Sequence, residues 1–192
     1  MAHDVARKNS TNPAADAIGF VTVVNHPQHG LFGGLLVLNL AGRPLAFHCT
    51  TPLKPNRAQE ILFGFTLESY LYGEQIGRAL LSQTQETLAA AFTDLAPVLS
   101  AREQVDVPLL WVHSPEPPRD DRPLLRVDAA HSPGLASPPF QSGRNRLSTA
   151  PNYAADQQAL TGQLTSCLDR LDLLEPFGRI REAIEEAQRS GR

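Results

Sequence analysis

The chain has 192 residues, 42% of them hydrophobic, with 17 Lys and Arg against 20 Asp and Glu for a formal charge of −3. That is enough length and apolar content for one sizeable domain, and with no face-length basic run there is little to drive counterion-release binding to nucleic acid. The most apolar window, residues 30–42, holds four glycines and Asn39 and falls well short of the roughly 20 apolar residues of a spanning helix, so no membrane segment is expected.

Residues 1–16 are polar, lack the apolar stretch of a secretory leader and read as a flexible tail. Residues 18–25, "IGFVTVVN", are β-branched and aromatic-rich, and the turn cluster "HPQHG" separates them from the next apolar run. "GGLLVLN" and "PLAFHCT" follow, joined through Gly42, whose backbone freedom suits a tight reversal. An antiparallel three-stranded meander over residues 18–50 is therefore expected.

Asn56 followed three residues later by Gln59 matches a capping box and starts a helix that Gly64 can close in a left-handed cap. Thr66 opens a second helical segment to about Ser82, with Leu67, Tyr70, Leu71, Gly77 and Leu81 near one side. Gly73 and Gly77, four apart, suggest close packing of that segment on the sheet. Over 84–113 the alanines and Pro97 leave strand and helix in competition. The preferred reading is a strand at 88–93, a helix at 95–103 and a strand at 107–113, the interval being just long enough for the crossover of a parallel pair.

Residues 114–152 carry eight of the sixteen prolines and many serines, the composition of a linker or draped loop, with "PLLRVDA" at 123–129 as a possible short edge strand. Beyond 153, Leu160, Leu164, Cys167, Leu171 and Leu174 form an apolar seam, and after Pro176 a second helix presents Phe177, Ile180, Ile184 and Ala187 on one face. The expected fold is α+β: a mixed sheet of about five strands, an antiparallel meander then a β-α-β crossover, covered by helices. Its parts are a tail (1–16), a core domain (17–113), the Pro/Ser-rich segment (114–152) and a C-terminal helix pair (153–192).

His48 beside Cys49 invites a nucleophile-and-base reading, but strand alternation sends adjacent side chains to opposite faces, beyond hydrogen-bond reach. Cys49, sharing a face with Leu45 and Phe47, is expected in the core, whereas His48 lies on the more polar face with Ala46 and Thr50. Cys49 and Cys167, far apart in a chain with no export signal, suggest reduced thiols in a cytosol. His26 and His29 are spaced as in some metal sites but lack a nearby cysteine or carboxylate, so no metal is expected.

Ligands of crossover sheets bind beyond the carboxyl ends of parallel strands. That points to Asp94 and His113, with Lys54 and His48 near them, as candidates for a polar or catalytic site. Lys54, Asn56 and Arg57 could hold an anion at a helix start. Familiar enzyme and cofactor signatures are absent. The leading functional expectation is a non-catalytic protein-interaction or regulatory module, docking a partner or another copy through the glycine-rich meander or the C-terminal helices. The alternative is a small ligand-binding protein or enzyme with its site at the strand ends.

Overall fold

A computed structural model describes residues 17–115, 134–160 and 163–190. The expected tail and the possible strand at 123–129 lie outside the described residues. The fold is α+β, built on a mixed sheet in the order β3-β2-β1-β4-β5-β7-β6. β1 (Ala17–His26), β2 (Gly30–Asn39) and β3 (Pro44–Cys49) form the antiparallel meander, and Gly42 takes the positive φ of 80° that its turn requires. β4 (Leu88–Thr93) returns to pair in parallel with β1, and β5 (Leu109–Val112) pairs in parallel with β4 across a 3-10 helix, Ala96–Gln104.

Among the described residues the sheet has seven strands rather than about five. The additional pair, β6 (Phe140–Ser142) and β7 (Asn145–Thr149), is a hairpin on the far edge, turned at Gly143 with φ 58°. It lies in the segment whose proline content suggested a draped loop. Pro138 and Pro139 stop just short of β6, so they remove no ladder hydrogen bond.

Both faces of the sheet are covered, as parallel strands buried on two sides require. On the first face, Val21, Leu31, Leu35, Ala91 and Leu109 meet residues 67–81 and 98–101. α1 (Arg57–Phe63) is followed by π-helical turns over Ser69–Gly77 that run into α2 (Arg78–Gln83). The Asn56 capping box forms as the spacing predicts: Asn56 Oδ1 accepts from Gln59 N at 2.9 Å, and Gln59 Oε1 accepts from Asn56 N at 3.0 Å. Gly73 packs against the 3-10 helix rather than the sheet. A Cβ on it would collide with Ser100 Oγ and lie 2.9 Å from Ala101 N.

On the second face, Ile18, Phe20, Leu36, Phe92 and Leu110 are roofed by α3 (Gln163–Leu168) and α4 (Glu175–Ser190). Phe177, Ile180 and Ile184 of α4 are each 1% exposed. Burying side chains of that size contributes about 1.5–3 kcal/mol apiece, so α4 is held by several kcal/mol. Glu175 in its first turn and Arg189 in its last complement the helix dipole. The glycines of β2 serve this packing. A side chain at Gly33 would strike Ile76, and one at Gly34 would strike Ile180, so helices press on the same strand from both sides.

Candidate functional site

The carboxyl ends of β1, β4 and β5 lie at one end of the sheet, bringing His26, Asp94 and His113 to that end. Register then separates Asp94 from His113. Thr93 pairs with Trp111, so Asp94 falls beside Val112 on the second face, whereas His113 falls on the first face with Trp111. His48 belongs to β3, four strand spacings from β5, or about 19 Å across the sheet. The four residues considered together from the sequence do not form one site.

Asp94 is engaged from two sides. Thr22 Oγ1 donates to its Oδ1 at 2.7 Å, and Arg181 of α4 closes an ion pair on Oδ2. The carboxylate thereby ties α4 to the middle of β1 and the end of β4.

His113 has a different setting. Its Nε2 lies 2.9 Å from Ser148 Oγ, and its ring packs on Trp111 at a tilt of 35° with centroids 3.9 Å apart. Burial, and secondarily the positive charge of Arg146, push the His113 pKa below the ordinary 6.5. A serine and a neutral imidazole at this distance satisfy the geometry of nucleophile and base, but Ser148 is 0% exposed. With its hydroxyl sealed from substrate, the pair acts as a clamp between β5 and β7. Ser148 was not anticipated, because its pairing with Trp111 depends on the unforeseen hairpin.

The strand-to-helix turn is likewise occupied internally. Asn56 caps α1, Arg57 pairs with Glu60 at 2.9 Å, and the Lys54 ammonium donates to the Gln28 carbonyl. α1 is only seven residues long. His26 and His29 stack with centroids 4.6 Å apart, and His26 Nδ1 accepts from the Gln28 and His29 amides at 3.2 Å. Among the described residues no group of three or more His, Cys, Asp or Glu is placed to hold a metal ion.

Cys49 is exposed rather than buried in the core. Alternation puts it on the second face with Phe47, as expected, but β3 is the edge strand and α4 lies over β1 and β2. Partial desolvation still raises its thiol pKa. His48 faces the opposite way, beside Leu35 and toward the layer built from residues 67–83, not the C-terminal helices. Its Nε2 is enclosed with no hydrogen-bond partner among the described residues.

Among the described residues the most exposed large apolar side chains lie elsewhere. Ile61, Leu62 and Phe65 are 67%, 81% and 84% exposed, at the end of α1 and in the turn after it. α1 buries none of its residues, and Phe63 anchors it by stacking on Tyr70 with centroids 4.0 Å apart. The sequence signal was the run "ILFGF", whose apolar residues outnumber what one buried face of a seven-residue helix can absorb. By contrast, the apolar faces of α3 and α4, expected to offer a docking surface, are spent on the sheet.

No protein-family model, curated protein or solved structure matches the chain. Among the described residues no helix is long and apolar enough to cross a membrane.

Proposed function

We propose that the chain is a non-catalytic protein-interaction module acting in the cytosol, and that its contact element is the ridge Ile61, Leu62 and Phe65. One observation carries this reading: three large apolar side chains, two on α1 and one in the turn after it, stand out of the surface next to the Asn56 box and the Arg57–Glu60 pair. Leaving that area in water is unfavourable by about 25 cal/mol per Å², an energy that a partner recovers on binding.

Ile61 and Leu62 close α1 and Phe65 follows the positive-φ Gly64, so the three side chains sit together at the helix end, and the partner is a folded protein with an apolar cleft to receive them. Neutral free thiols at Cys49 and Cys167 agree with a reducing compartment. Engagement of Asp94 by Arg181 and closure of Ser148 weigh against the ligand-site alternative.

The test is a photo-crosslinking amino acid at position 62 in living cells. One discrete heterologous adduct is expected, and it should disappear in a Phe65→Asp variant of unchanged circular dichroism. The purified partner should then bind the wild type and not the variant. Absence of a discrete adduct, or one indifferent to Phe65→Asp, would overturn the reading.

A further inference from the structure

β3 ends the sheet, and no described residue pairs with its outer side. Its backbone polarity follows from the ladder. Thr50 N donates inward to Gly33 O and Gly33 N donates to Thr50 Oγ1, so by alternation His48 and Ala46 direct their amides and carbonyls to β2, while Phe47 and Cys49 direct theirs outward. Edge strands are commonly blunted by lysine, proline or a bulge. β3 has Pro44 and a register shift at its start, but residues 46–50 carry no charge and no proline. Phe47 stands 42% exposed on this stretch, and Cys49 is exposed beside it.

We propose that residues 46–50 pair antiparallel with the same residues of a second copy, about a two-fold axis at His48 that sets Phe47 of each copy against Cys49 of the other. The stretch is self-complementary in this register. Apolar Phe47 meets apolar Cys49 on the second face, Ala46 meets Thr50 on the first, and the nearest cations, Arg43 and Lys54, lie outside the paired residues. Two outward residues per copy, each donating one amide, supply about four hydrogen bonds between copies. The contact is short for a stable interface, so the association belongs to the weak class. It uses neither Leu62 nor Phe65 and stands apart from the ridge proposed above.

Sedimentation velocity on the full chain tests it. The dimer fraction should rise with concentration up to about 200 µM, and Phe47→Lys should weaken association by about tenfold or more, with its melting temperature preserved. Leu62→Lys should leave the dimer unchanged. A second measurement applies if Phe47→Lys misfolds: in a Cys167→Ala background, mild oxidation of Phe47→Cys should give a covalent dimer joined between position 47 of one copy and Cys49 of the other, since hydrogen-bonded pairs set Cα atoms about 5.5 Å apart. A wild type that stays monomeric throughout, a dimer insensitive to Phe47→Lys or dissociated by Leu62→Lys, or an oxidised variant without that linkage overturns the proposal.

Discussion

Arg102 and Asp156 form a bidentate ion pair, with Nε to Oδ2 at 2.7 Å and Nη2 to Oδ1 at 3.0 Å, joining residues 54 positions apart in the chain. Asp156 also accepts from the Leu109 amide at 3.1 Å, and Arg102 lies 4.4 Å over the Tyr153 ring. The pair pins the return of the chain, after β7, to the 3-10 helix and to β5.

Removing one member strands the other. Asp156→Ala should cost about 3–5 kcal/mol, because it removes the counter-charge of a largely buried guanidinium and leaves its Nε and Nη2 and the Leu109 amide without their acceptor, only Nη1 keeping the Val105 carbonyl. At about 2–4 °C per kcal/mol for a chain of this size, thermal denaturation should show a fall of about 6–20 °C. Combining it with Arg102→Met should recover part of that loss, which a double-mutant cycle would read as coupling.

His113 makes stability depend on pH in a defined direction. Its folded pKa lies below its ordinary 6.5, so between the two values the unfolded chain binds more protons than the folded one. This contribution is complete above pH 6.5 and is lost as the pH falls toward the folded pKa. Trp111 is the only tryptophan, and its packing on His113 makes its fluorescence a direct reporter. The emission should titrate with a midpoint below 6.5, and His113→Gln should remove that step.

Gly73→Ala should destabilise by about 1–3 kcal/mol through overpacking. Ser100→Ala should not rescue it. The added methyl would still face the Ala101 amide and the Pro97 carbonyl, each 2.9 Å away, and backbone cannot swing aside as a side chain can. Denaturant unfolding of both single variants and the double variant would decide this.

Deleting residues 153–192 should expose Ile18, Phe20, Leu36, Phe92 and Leu110, and should remove Asp156 as well. The truncated chain is expected to bind hydrophobic dye and lose its cooperative transition. A remainder that melts as sharply as the full chain would show that the C-terminal helices are not part of the core.

Features with a local physical cause were legible in the sequence. The meander, the Gly42 turn, the Asn56 box and the β4–β5 crossover each follow from alternation or from side chains within a few positions of one another. β6 and β7 were obscured by composition, although "FQSGRNRLST" alternates around a glycine able to turn it. Burial at β3 was misread for another reason. Alternation assigns Cys49 and Phe47 a face, but only the sheet order shows that α4 does not extend over the edge. At the strand ends the error was one of parity: a register of Thr93 with Trp111 leaves Asp94 and His113 on opposite sides of a sheet whose end they share.

The strand order also bears on how the chain is made. β1 is first to emerge, yet its second neighbour is β4, about 60 residues later. At typical rates of synthesis that interval lasts several seconds. Throughout it the Ala17–Val21 edge, an apolar stretch, is open. The meander can close early on its β2 side alone, so the sheet's central seam is a late event in biosynthesis, and conditions that slow translation between Asn56 and Leu88 should prolong the period in which the nascent chain is most prone to strand-to-strand aggregation.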